Sequence, residues 1–404
     1  KEQKKEILRD TSFFSGGVYI SQAMFFLRGF INAMILGPSL YGLWSALNII
    51  LSYSAYTHIG VLNGLNIEIP YQNGQKSEEG IIKARNTGFT VCLVNSVIFS
   101  SIVEVIALFL WGKIPLAEFL GLAAIAGLVI ISVLYEFYQT SLISLKKFLL
   151  VTKANIAFSV LSVVFTFLLV PKTSIYGVYI VAVAVPLLNL LYVWRRERYQ
   201  LKFELDFRMI SKLMKMGFPI VTLNFLDASI TNIAGIMVLS LLGKVNMGYF
   251  AIALLASRFL AYFPQSIHRS LEIRIYEKNG EINGISELEK YLFKPAQIMI
   301  LLFPIMLVGF YMLAAFFIRH FLPQYAIAIY PFLIILIGRF FVSFSPTSFA
   351  FITAMNKQRF LIPAYLAGKV IMVSSGIVFM HMGLGVTGAV SGLFLAYFFI
   401  GSVT

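Results

Sequence analysis

Long apolar runs alternate with short polar segments along the whole chain. The runs cover residues 12–36, 39–63, 86–110, 117–144, 154–171, 175–194, 213–242, 246–268, 295–318, 325–355, 361–382 and 387–404. A helix rising 1.5 Å per residue crosses about 30 Å of hydrocarbon in about 20 residues, and each run reaches or nearly reaches that length. A lipid-exposed backbone must satisfy its own hydrogen bonds, so the runs are expected as helices. The pattern predicts an all-α integral membrane protein with about twelve transmembrane helices.

The polar segments are unequal in charge. Segments 1–10, 64–85, 145–153, 195–215, 269–294 and 356–360 hold 24 Lys and Arg, whereas the opposite side holds only Lys113, Lys172, Lys244 and Arg319. The basic side is expected in the cytoplasm. That predicts a multi-pass protein of the cytoplasmic (inner) membrane of a bacterium or archaeon, with both termini cytoplasmic. Trp111 and Trp194 fall at span ends, where interfacial anchors belong.

Composition narrows the function classes. Hydrophobic residues make up 59% of the 404 and charged residues 12%. Soluble domains carry about twice that charge, so a soluble enzyme, a disordered chain and a nucleic-acid-binding module are excluded despite the net charge of +14. Cys92 is alone and the four His are scattered, so neither a disulfide nor a metal site is expected. No phosphate-binding loop of the G-x-x-x-x-G-K-[ST] type is present, and the outer loops are too short for a catalytic domain. No enzyme activity and no cofactor are expected.

The chain repeats itself at an offset of 206. Leu36-Gly37 matches Leu242-Gly243, Gly42 matches Gly248, Ile67-x-Ile69 matches Ile273-x-Ile275, and Asn73-Gly74 matches Asn279-Gly280. Six spans per half give both halves one orientation, a known transporter plan. The expected organisation is an N-terminal six-helix lobe over 1–194, a basic linker over 195–212, and a C-terminal six-helix lobe over 213–404. Substrate is expected in a central cavity.

Ionisable residues inside the predicted spans are the candidate chemistry: Arg28, Arg258, Arg339, Lys369, Glu104, Glu136 and Asp227. Each costs roughly 2.5–3.5 kcal/mol at a bilayer centre on insertion scales, which favours a cavity or a partner. Several sit in polar stripes at helical spacing: Gly17, Ser21, Met24, Arg28 and Asn32; Ser132, Glu136, Gln139 and Thr140; Asn224, Asp227 and Thr231; Arg258, Tyr262, Gln265 and Arg269; Arg339, Ser343 and Thr347. Arginine forks match phosphate and carboxylate, so Arg28, Arg258, Arg339 and Lys369, with Asn32, Tyr262 and Gln265, are candidate ligands of an anionic cargo. Pairing of these bases with the acids is the structural alternative. Glu104, Glu136 and Asp227 are candidates for coupling to a proton or Na⁺.

The segments Leu36-Gly-Pro-Ser-Leu-Tyr-Gly-Leu-Trp44, Asn73-Gly74, Lys215-Met-Gly-Phe-Pro-Ile220, Leu242-Gly243, Gly248-Tyr249 and Tyr276-Glu-Lys-Asn-Gly280 carry a resemblance. The chain resembles the multidrug/oligosaccharidyl-lipid/polysaccharide (MOP) exporters, and within them the Wzx-type O-antigen flippases. The resemblance implies two pseudo-symmetric six-helix lobes around a cationic cavity and transport by alternating access. It implies an undecaprenyl-diphosphate-type, lipid-linked oligosaccharide as cargo, moved from the inner to the outer leaflet. Membrane lipids, a polysaccharide polymerase and glycosyltransferases are the implied partners, and nucleic acid is not. The alternative is an ion-coupled small-molecule or multidrug exporter of the same superfamily.

Overall fold

In the computed structural model the backbone is described for residues 2–281, 285–343 and 360–403, and side chains for 16–258, 297, 301–343 and 360–403. Among the described residues every regular element is helical. The α-helices are α1 (Glu2–Ser54), α2 (Val61–Gly74), α3 (Glu78–Phe109), α4 (Leu116–Ser144), α5 (Phe148–Thr173), α6 (Ile175–Arg196), α7 (Phe207–Glu281), α8 (Ile285–Phe321), α9 (Ile329–Val342), α10 (Leu361–Phe379) and α11 (Gly385–Val403). Nine stretches of the described residues are long and apolar enough to span a membrane. Three of them, Gly16–Ser54, Phe207–Arg258 and Leu361–Val403, each overlap two predicted spans, which is compatible with about twelve crossings.

Two of these double stretches break in the same way. Gly37 in α1 has φ 70° and ψ 173°, and Gly243 in α7 has φ 82° and ψ −179°. That region is open almost only to glycine. The two residues are one repeat apart, so the offset of 206 found in the sequence is also an offset in backbone conformation. Just after each kink the chains approach backbone to backbone. A Cβ at Gly42 would overlap the Lys244 carbonyl oxygen, and one at Gly248 would overlap that of Pro38. Subtracting the offset turns one contact into the other.

The described residues group into two compact units. One takes the chain up to Leu36 and Leu47–Phe225; the other takes Gly37–Ala46 and the chain from Leu226 onward. The core of the first gathers Leu65 and Ile69 of α2, Cys92 of α3, Phe137 and Leu142 of α4, and Leu213 of α7. In the second, α7, α9, α10 and α11 bury Ile230, Phe332, Met372 and Leu393.

Several boundaries differ from the sequence reading. The second predicted span ends at Ser54, and the loop expected over 64–85 is mostly helix. Val61, Leu65 and Ile69 form a buried stripe on α2, at steps of four. Ser77 then caps α3 by accepting from the Gly80 amide at 3.2 Å, with Glu78 and Glu79 in the first turn. Span 325–355 holds helix α9 only as far as Val342, and residues 344–359 lie outside the described part.

The linker expected over 195–212 is strapped to the first unit. The Lys202 amide donates to Asn86 Oδ1 at 3.3 Å and the Glu204 amide to Thr90 Oγ1 at 2.9 Å. Lys147 pairs with Glu197 and Lys212 with the buried Glu68, each at 2.6 Å. Tyr199 stacks on Tyr138, and the Arg85 guanidinium carbon lies 4.0 Å from the Tyr199 ring centroid. Burial pushes the Tyr199 hydroxyl up to about 12. The hydrogen bond from Lys83, with the backbone amides of Met209 and Arg208, holds the Asp206 carboxyl below its ordinary value.

Two outcomes are expected. Gly248→Leu forces atoms into a backbone contact and should cost about 1–3 kcal/mol, read as a lower Tm in detergent, whereas Gly127→Ala, with open space around it, should leave Tm unchanged or raised. For Asp206, the depressed pKa means that the strap's stabilisation is present above the unfolded carboxylate value and lost as pH falls through the folded one. Protection factors at Lys202 and Glu204, corrected for the intrinsic pH dependence of exchange, should therefore fall at acid pH, and Asp206→Asn should show that fall already at neutral pH.

Candidate substrate site

The second unit brings together charges that the sequence spreads over three helices. α7 presents Asp227 and, one turn on, Thr231; α9 presents Arg339; α10 presents Tyr365 and, one turn on, Lys369; α11 presents Tyr397. Arg339 and Lys369 are the cations whose charges act on the Asp227 carboxylate, and Asp227 acts in turn on Tyr365. Thr231 Oγ1 and Tyr397 Oη are 3.1 Å apart. The Arg339 guanidinium carbon lies 5.0 Å from the Tyr397 ring centroid, a cation–π arrangement.

Exposure differs across this group. Asp227 is exposed, Arg339, Lys369 and Thr231 are half-buried, and Tyr365 and Tyr397 are buried. Arg339 Nε is buried and meets no acceptor among the described residues. Among the described residues the charges acting on Asp227 are those of Arg339 and Lys369. A buried N–H without an acceptor is costly, and an anionic or oxygen-rich ligand would supply what this one lacks.

The other predicted residues lie elsewhere. Arg258 is exposed on α7 and is not among the charges acting on Asp227. Tyr262 and Gln265 fall on α7, but their side chains lie outside the described residues, as does Thr347. In the first unit Arg28 is half-buried on α1, and Asn32 is buried with its Oδ1 meeting no donor among the described residues. The stripe that carries them does not wholly face open space. Its Gly17 sits against Thr152 and Ile156 of α5, and Phe25 meets Phe158 at 5.2 Å.

The candidate coupling acids also separate. Glu136 is half-buried on α4 beside the buried Cys92 of α3. Its neighbour Tyr135 donates to Asn155 of α5 at 2.7 Å. Glu104 is exposed on an outer face of α3 that also exposes Ile102, Val105 and Ile106. Among the described residues no group of His, Cys, Asp and Glu is placed to hold a metal.

Tyr365 and Tyr397 were missed by sequence reasoning because each lies in an apolar run. The spacing of Tyr365 and Lys369, four residues on one helix, was the available signal. Glu68 was missed because its segment reads as loop.

No known protein family profile matches the chain, and no curated protein matches it. Solved structures do. An inward-facing multidrug resistance MATE family transporter of the MOP superfamily superposes with a TM-score of 0.76 at 14% identity, covering 95% of this chain and 92% of that one. An outward-facing structure of such a transporter gives 0.69 at 14% identity, over 98% and 93%. A MOP superfamily transporter from Pyrococcus furiosus, described as having a binding pocket of reverse polarity that suggests a different function, gives 0.70 at 13% identity, over 98% and 93%. The chain has the fold of the MOP superfamily transporters.

Removing Asp227 leaves two bases facing each other without their acid. Asp227→Asn should lower Tm by the equivalent of about 1–3 kcal/mol, and adding Arg339→Gln should restore part of it. Additive losses in the double variant would show that the two side chains do not interact.

Proposed function

We propose that the protein is a secondary exporter of the MOP fold whose cargo is anionic. The observation that carries this reading is the Arg339–Lys369–Asp227 group, in which Arg339 Nε is buried and meets no acceptor among the described residues. The guanidinium and ammonium attract an anionic group, and Asp227 orients them while the site is empty. The solved transporters of this fold include inward-facing and outward-facing forms, which supports alternating access as the mode of transport. Their descriptions name multidrug resistance, which favours the export of small molecules over the movement of a lipid-linked sugar.

The second reading is a lipid-linked oligosaccharide flippase. The same two bases favour it, because a diphosphate is the anion that forked arginines bind best. Under either reading Glu136, which has no base among the groups acting on it, is the better candidate for a proton-coupling acid than Asp227.

Reconstituted vesicles test the polarity. Efflux of an anionic dye should exceed that of a cationic dye of equal size, and Arg339→Gln should reduce the anionic flux at least about tenfold, the loss of one charge-assisted contact. Preferred efflux of the cation, unchanged in Arg339→Gln, would overturn the reading. Flipping of a polyprenyl-diphosphate saccharide in the same vesicles, lost in Arg339→Gln, would favour the flippase over the small-molecule exporter.

A further inference from the structure

The strap that joins α6 to α7 turns itself over half-way along. Up to Leu201 its odd-numbered residues face the first unit: Tyr199 stacks on Tyr138, and Leu201 packs against the core, while Arg198 and Gln200 are exposed. From Glu204 the even-numbered residues face it. The Glu204 carboxylate accepts from Asn86 Nδ2 at 3.2 Å, and Asp206 pairs with Lys83. Lys202 and Phe203, adjacent and both exposed, mark the change of phase. In an extended chain a shift of one residue exchanges the two faces. Here the exchange turns both acids inward and leaves Phe203 63%, Leu205 52% and Phe207 78% exposed. Without it these three would continue the buried face of Tyr199 and Leu201.

Single apolar side chains at a surface need no explanation, whereas three successive outward positions of one segment do. Exposed Lys202 and Arg208 flank them, and no acid between these two bases is exposed. The strap also has a fixed depth. It leaves α6 just after the exposed Trp194 and ends where α7 begins, and both helices are long and apolar enough to span a membrane. Its partners on α3, Asn86 and Thr90, lie in the first residues of the apolar run that starts at 86. The outward face is therefore held at the edge of the hydrocarbon, on the basic side. Apolar side chains with basic flanks match a layer of anionic headgroups there.

We propose that the outward face of the strap is an interfacial anchor for anionic lipid. Phe203, Leu205 and Phe207 enter the headgroup layer and its first methylenes, and Lys202 and Arg208 meet lipid phosphates. The acids that would repel those phosphates are held inward by Asn86 and Lys83. The proposal is independent of the cargo.

Spin labels test it, attached to cysteines that replace Phe203, Leu205 and Phe207 one at a time in the full chain. All three positions are exposed, and the buried Cys92 is left in place. The protein is reconstituted into vesicles of phosphatidylglycerol and phosphatidylethanolamine. Each label should collide more often with oxygen, which concentrates in the bilayer, than with a water-soluble nickel chelate. A label at Gln75, exposed in the turn between α2 and α3, should show the opposite order. The oxygen preference should diminish in pure phosphatidylcholine, and Lys202→Gln with Arg208→Gln should bring the anionic vesicles down to that lower value. Frequent nickel collisions at all three labels would place the face in water and overturn the proposal. Exclusion of both reagents would show that protein covers it, a second copy or another part of the chain, and would overturn it equally. An oxygen preference indifferent to lipid charge and to both Gln substitutions would remove the anionic lipid as the partner.

Discussion

Backbone crossing backbone at Gly42 and Gly248 is the contact on which the second unit is built. Each glycine lies against a carbonyl oxygen about one repeat away in sequence, and neither position has room for a Cβ. Close approach of this kind is what small residues contribute in membranes, where apolar burial between helices gives little because lipid is equally apolar. The kinks at Gly37 and Gly243 aim the two chains at that crossing. Leu36-Gly37 and Leu242-Gly243 therefore recur for a reason of geometry: one residue type supplies the backbone angles, and a second glycine five residues on supplies the clearance. Tyr325, fully buried, packs its ring at about right angles to both Tyr41 and Tyr249, adding aromatic contacts next to the crossing.

Polar groups in the second unit are arranged in the same economical way. Asp227, Arg339 and Lys369 come from α7, α9 and α10, and their mutual charges make each less costly in an apolar environment than it would be alone. Tyr365 and Tyr397 enclose them, and the hydroxyl of Tyr397 reaches Thr231. The first unit is different. There Gly17 lies against α5 and Asn32 is buried, and Glu136 acts on Cys92.

The apolar runs made the helices legible, because length and hydrophobicity alone decide whether a segment spans a membrane. The Leu-Gly pairs were legible as a repeat, but not that Gly37 and Gly243 break their helices in the same way. α2 was not, because its stripe of Val61, Leu65 and Ile69 is interrupted by Glu68, and a carboxylate in a short apolar segment reads as solvent-facing. Lys212 lies 144 residues away in sequence and pairs with that carboxylate, a fact that no local pattern contains. In the candidate site, Asp227, Arg339 and Lys369 were each legible as charges inside spans. Their grouping was not, since spacing along one helix says nothing of which other helix lies against it. Arg28 carries the same local signal on the first unit, and Arg258 carries it without being among the charges that act on Asp227.

The division between the two units at Phe225 and Leu226 falls within a helix. Asp227, the acid of the charged group, sits two residues past that division on the same helix, so the helix whose first turn the Asp206 strap anchors also carries the acid.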